Sequence, residues 1–147
     1  IEFFRDRRLL YMADEAERAG QISSETRIRI DDLATRLPEF IEELDTPSLL
    51  HGDLWGGNVL VHGDRIAGFV DPAIYYGDPE IELAFSTMYA TFGEGFFRRY
   101  GELRRLRPGF FDNRRDIYNL WPILTHTRLF GGGYAKAVDI TLTRLGF

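Results

Sequence analysis

The chain has 147 residues, 44% apolar and 28% charged, which suits one globular domain with room for a core. A formal net charge of −5 speaks against broad attraction to nucleic acid or anionic lipid, and the lack of cysteine excludes disulfides, thiolate metal sites and a cysteine nucleophile. No apolar run nears the roughly 20 residues of a membrane span and no signal-peptide pattern opens the chain, so a cytoplasmic protein with no membrane or nucleic-acid partner is expected.

Residues 1–19 are expected to form a helix, with Leu9, Met12, Ala13 and Ala16 on one face and Gly20 as its stop. Ser23 or Ser24 can cap a second helix whose buried stripe is Ile30, Leu33, Ala34 and Leu37, before Pro38. Pro47 and Ser48 break that pattern, and Leu49-Leu50 lead into the glycine-rich stretch HGDLWGGN. Val59–Val61 and Ile66–Val70 then flank His62-Gly63-Asp64-Arg65, a short hairpin turned at Gly63-Asp64 and closed by Asp71-Pro72. Asp78-Pro79 reads as the cap and first turn of a helix with Ile81, Ala84, Phe85 and Met88 on its apolar face. Phe96, Tyr100 and Leu103 mark another helix, closed before Pro108-Gly109, and Asp112-Asn113 read as a helix cap. Ile117, Leu120, Trp121 and Leu124 define a long helix bent by Pro122 and ended by Gly131–Gly133; Tyr134–Leu145 is the last. Several helices thus surround one hairpin that holds the polar residues.

The chemistry gathers between residues 51 and 71. A polar, glycine-rich loop between ordered apolar segments is where catalytic groups tend to lie. Asp53 offers a carboxylate to receive a hydroxyl proton, and Asn58, five residues on, offers an amide oxygen to a hard cation. Asp71 follows Asp53 by eighteen residues, and the hairpin between them returns the chain close to its start, so all three can converge. Phosphoryl transfer from ATP uses such a set. Magnesium takes oxygen ligands, here Asp71 and Asn58, while an aspartate, here Asp53, orients the nucleophile. An isolated H-G-D would mean little. The pattern H-G-D-x-x-x-x-N, hairpin, D-P has the spacing of the H-R-D-x-x-x-x-N loop and D-F-G of protein kinases.

HGDLWGGN followed by DPAIYYGDPEIELAF resembles the fructosamine kinase (ketosamine kinase) family, within the wider aminoglycoside-phosphotransferase-like group. Its distinguishing marks are Trp55 inside the loop, Asp71-Pro72-Ala73 in place of D-F-G, and Tyr76-Gly77-Asp78 before the Glu82-Leu83-Ala84 helix. The resemblance implies the helical C-terminal lobe of a protein-kinase-like fold, mainly α, with a small β-hairpin at its catalytic loop. It implies MgATP-dependent phosphorylation of a sugar hydroxyl on a fructosamine or ribulosamine, small or protein-bound, whose product breaks down and frees the amine. Asp53 would be the base, Asn58 and Asp71 the magnesium ligands, His51 a brace for the loop, and Glu82 an anchor for its backbone amides. Trp55 has two readings, a buried core aromatic or a ring at the cleft that stacks on substrate.

Other polar residues carry blander expectations. His62 reads as a surface residue beside the turn, His126 as a core or groove residue, and Arg104, Arg105 and Arg107 as a solvated basic face, with a phosphate or acidic partner the lesser option. A kinase of this kind also needs a glycine-rich turn over the phosphates and a strand lysine. No G-x-G-x-x-G precedes the loop, and the sole lysine, Lys136, follows it. The chain, which opens on Ile1 inside helical sequence, is therefore read as a lobe whose nucleotide-binding N-terminal partner is absent. Alone it should have little activity, and its bare lobe-facing surface should favour self-association. The alternatives are an alcohol kinase of the aminoglycoside, choline or homoserine type, a non-catalytic kinase-like binding module, and a metal-dependent phosphoesterase, for which three histidines are a poor supply.

Overall fold

The structure is a computed structural model describing residues 1–147. It divides into two compact units, Ile1–Glu43 with Asp116–Phe147, and Leu44–Arg115.

The first unit is helical throughout. Its opening run comprises α1 (Glu2–Phe4), a π-helical stretch Arg5–Leu9, and α2 (Leu10–Arg18). Arg8 lies over the Trp121 ring at 4.2 Å within that stretch. α3 (Ser24–Arg36) starts where the Ser23 hydroxyl accepts a hydrogen bond from the Thr26 amide, and it tightens into a 3₁₀ turn, Leu37–Glu39, around Pro38. α6 (Arg115–Phe130) carries Pro122 in its interior and still continues to Phe130; α7 (Gly133–Leu145) closes the chain. The periodic residues Leu9, Ala13 and Ala16, then Ile30, Leu33, Ala34 and Leu37, are all buried, as are Ile117, Leu120 and Leu124. Burial of each large aliphatic side chain stabilises by about 1.5–3 kcal/mol over exposure. Polar ties add orientation: the Thr26 hydroxyl donates to Asp139 at 2.8 Å, and Arg29 donates to Thr143 at 2.8 Å.

The second unit is built around two small antiparallel sheets. β1 (Ser48–Leu50) pairs with β4 (Tyr75–Gly77), Leu49 opposite Tyr76. β2 (Val59–His62) and β3 (Arg65–Phe69) form the expected hairpin through Gly63-Asp64, with a register shift between Leu60 and Val61. The β1–β4 sheet goes beyond the sequence reading, because a three-residue strand is too short to show a period of two. Helices α4 (Pro79–Met88) and α5 (Glu94–Leu103) follow.

Three local expectations are corrected here. The buried face of α4 is Glu80, Leu83, Ala84 and Ser86, so of the expected stripe Ile81, Ala84, Phe85 and Met88 only Ala84 is fully buried. The cause is an ionic anchor. Arg114 grips the Glu80 carboxylate with Nε–Oε2 at 2.6 Å and Nη2–Oε1 at 3.0 Å, while Arg107 donates to it from Nε at 3.2 Å and pairs with Asp78. Burial alone would raise the Glu80 pKa, but the hydrogen bonds from Arg114 and Arg107 hold it below the ordinary carboxylate value. Arg107 is therefore no part of a solvated basic face, although Arg104 and Arg105 are exposed. Asp112 and Asn113 cap nothing; they are exposed inside a π-helical turn, Phe110–Arg114, that follows Gly109 and delivers Arg114.

Candidate active site

The loop that leaves β1 is shaped by a close approach of two backbones. Gly52 has φ +83°, and a Cβ there would overlap the Ala73 carbonyl, so only glycine lets residues 51–53 lie against residues 71–73. Glu82, from α4, accepts a hydrogen bond from the Gly52 amide at 2.7 Å. Burial pushes the Glu82 carboxyl up, against the opposing effect of that amide.

His51 works on both sides of this contact. Its Nδ1 accepts from the Asp53 amide at 3.3 Å, which leaves Nε2 to donate to the Val70 carbonyl at 2.9 Å. Its own carbonyl accepts from the Ala73 amide at 2.8 Å. Asp71 is thus bracketed by two residues, Val70 and Ala73, that are both tied to His51. It has φ +51°, a left-handed conformation that costs a non-glycine residue about 1–2 kcal/mol and persists only where its surroundings impose it.

Asn58 closes the set. It ends a 3₁₀ turn, Gly56–Asn58, and is buried. Its Nδ2 donates to the Asp53 carbonyl at 2.8 Å and to Asp53 Oδ2 at 3.0 Å, and its backbone carbonyl accepts from the Val70 amide at 3.0 Å. Asp53 and Asn58 are therefore in direct contact, and Val70, hydrogen-bonded to Asn58, immediately precedes Asp71. Four oxygens remain without a protein partner: Asn58 Oδ1, Asp53 Oδ1 and both oxygens of the exposed Asp71 carboxylate. An amide oxygen and a carboxylate, both uncommitted, are ligand types that a hard cation takes. No group of three or more His, Cys, Asp or Glu side chains is placed to share a metal.

Trp55 is 41% exposed, which removes the buried-core reading. Its ring folds back over Gly57, where a Cβ would strike the indole, and its edge meets Tyr89 at a centroid distance of 5.9 Å and 61°. Tyr89, at the end of α4, is itself 40% exposed and packs on Phe85. Sequence reasoning missed Tyr89 because no spacing links it to the loop. His62 is exposed beside its turn, and His126 pairs with the Pro122 carbonyl and stacks on Tyr134.

The model of the fructosamine kinase family matches residues 1–145. The chain belongs to the fructosamine kinase family. Members of the family similar to it include a probable ketoamine kinase of Vibrio parahaemolyticus, 35% identical over 97% of this chain and 48% of that protein. The chloroplastic protein-ribulosamine 3-kinase of Arabidopsis thaliana is 36% identical over 93% of this chain and 41% of that protein. The mouse ketosamine-3-kinase is 35% identical over 91% and 43%. Among solved structures, a Thermobifida fusca protein assigned as a fructosamine-3-kinase superposes with a TM-score of 0.88 at 28% identity, covering 98% of this chain and 50% of that one. The chain spans about half the length of the curated relatives it matches. Its mainly helical architecture with small antiparallel sheets is that of the helical lobe of a kinase-like fold. No helix is long and apolar enough to cross a membrane.

Proposed function

We propose that this chain carries the base and the metal ligands of an ATP-dependent phosphotransferase that phosphorylates a sugar hydroxyl of a ketoamine, a fructosamine or ribulosamine. The observation that carries the reading is the hydrogen-bonded frame of His51, Asn58 and Val70, which couples Asp53 to Asn58 and holds the backbone beside Asp71. The names of the ketoamine and ribulosamine kinases to which the chain is similar supply the substrate class.

In this reading the Asn58 amide fixes Asp53 Oδ2 and leaves Oδ1 to receive the proton of the attacking hydroxyl. Asn58 Oδ1 and the Asp71 carboxylate would hold magnesium. MgATP, when bound, supplies the phosphoryl group and neutralises charge that develops on it. The left-handed turn at Asp71 positions its carboxylate, and His51 holds that turn from both sides. Glu82 positions rather than reacts, through the Gly52 amide. The exposed Trp55 face stacks on the sugar or amine portion of the substrate, backed by Tyr89. Phosphorylation would destabilise the ketoamine and release the amine, a deglycation carried out in the cytoplasm.

The nucleotide-gripping lysine and glycine-rich turn would come from a second lobe not contained in these 147 residues. Leu60, Val61, Ile66 and Phe69 expose apolar surface on the hairpin, and the chain alone would self-associate there, giving a sedimentation coefficient above that of a 17 kDa monomer. Assay of the full-length protein with MgATP against fructosyl- and ribulosyl-amines, beside Asp53→Ala, tests the reading. Turnover of neither substrate would remove the substrate class, and activity that survives the substitution would remove Asp53 from the role of base.

A further inference from the structure

The basic run 104–107 has no part in that reaction, yet it does not simply face solvent. Arg104, Arg105 and Arg107 line a cavity of about 110 Å³ together with Tyr100, Asp78 and Glu80. Its inner wall is electrically closed, because the guanidinium groups of Arg107 and Arg114 match the carboxylates of Asp78 and Glu80. The other two arginines are surplus. Arg104 is tied by Nη1 to a neutral partner, the Ser48 hydroxyl at 2.7 Å, and Arg105 is exposed and forms no ion pair. The lining therefore carries two uncompensated positive charges. Two further donors belong to it. Burial pushes the Tyr100 phenol up, so it stays protonated and can donate, and Arg107 retains a buried Nη1 with no hydrogen-bond partner. The carboxylate oxygens of Asp78 and Glu80 are already engaged, by Arg107, Arg114 and the Glu80 amide.

We propose that this cavity binds a phosphate group as its dianion, held by Arg104, Arg105 and Tyr100 against the Arg107 wall. Charge and donor type both favour phosphate, since guanidinium groups pair with the oxygens of a tetrahedral dianion. Size restricts the ligand further. Organic ligands occupy pockets of about 300–1,000 Å³, so this cavity encloses the phosphate alone and leaves any carbon skeleton outside. The ligand is thus free phosphate or a small phosphate monoester.

The test titrates the protein with inorganic phosphate and, separately, fructose 6-phosphate by isothermal calorimetry at pH 7.5 and constant ionic strength. Saturable 1:1 binding with a Kd of about 1 mM or below is expected. Arg104→Ala/Arg105→Ala, both on exposed side chains, should weaken it at least about tenfold, and Tyr100→Phe by a smaller factor, the loss of one hydrogen bond. Asp71→Asn should leave it unchanged. A tighter constant for the sugar phosphate identifies an ester as ligand; equal constants identify free phosphate. Absence of saturation by about 10 mM phosphate, retention of binding in the double arginine variant, or loss of binding in Asp71→Asn would each overturn the proposal.

Discussion

The two units of the chain are stabilised in opposite ways. Residues 1–43 and 116–147 hold together by helical stripes of Leu, Ile and Ala, with ion pairs largely at the periphery. Residues 44–115 bury few apolar side chains, chiefly Leu50, Leu54, Leu83, Ala84 and Phe110, and rely on a buried ionic anchor and backbone-to-side-chain ties. The difference teaches where precision is needed. Apolar packing is forgiving of direction, whereas hydrogen bonds set the orientation of Asp53, Asn58 and the Asp71 turn to a fraction of an ångström.

The contrast can be broken most sharply by pairing two substitutions within the polar unit. Glu80→Ala leaves the buried Arg114 without a carboxylate and Arg107 with Asp78 alone, and is expected to destabilise the fold by about 3–5 kcal/mol in a urea titration. Asp53→Ala should leave the unfolding midpoint nearly in place and lower kcat of the full-length enzyme by about 10²–10⁴. If both variants lost stability equally, Asp53 would be a structural residue and the frame around it part of the core. In the apolar unit, Leu33→Ala should cost about 2–5 kcal/mol through an unfilled cavity.

Acidity separates two carboxylates on the same helix. The Glu80 pKa is lowered in the folded state, so its contribution is present above the ordinary value near 4.5 and is lost as pH falls from there through the lower folded one. The Glu82 pKa is raised, so the sign reverses: its contribution is full below the ordinary value and is lost as pH climbs through the folded one. Glu82→Gln should therefore gain stability relative to the parent as pH rises above about 4.5, whereas Glu80→Gln should lose it as pH rises towards about 4.5 from below. Thermal melts across that range read both, and a common sign would contradict the environments described here. The smallest effect on stability is expected at Asp71→Gly, which relieves the left-handed backbone and should stabilise by about 1 kcal/mol, although activity of the full-length enzyme should be lost. A destabilised Asp71→Gly would mean that the carboxylate has a structural partner.

Much of this was legible beforehand, for reasons that differ by region. The stripes of α2 and α3 and a serine cap at Ser23 or Ser24 follow from periodicity and a hydroxyl, both local properties, and the structure places the cap at Ser23. The hairpin follows from a two-residue turn between apolar runs. By contrast, the β1–β4 pairing joins residues 48–50 to 75–77, and Glu80 meets Arg114 across 34 positions. No local pattern encodes such partners, and Glu80 reads from sequence as one more acidic residue in the first turn of a helix.

Residue identity and spacing set which groups are available, Asp53, Asn58 and Asp71 on a glycine-rich loop and a hairpin, and the family to which that pattern points. How those groups are held depends on contacts made in the folded chain. His51 ties Val70 and Ala73 on either side of Asp71, Asn58 spends its amide hydrogens on Asp53, and Glu82 draws in the Gly52 amide. Each of these is a contact between residues brought together by folding, whose orientation depends on distance in space and not on spacing along the chain.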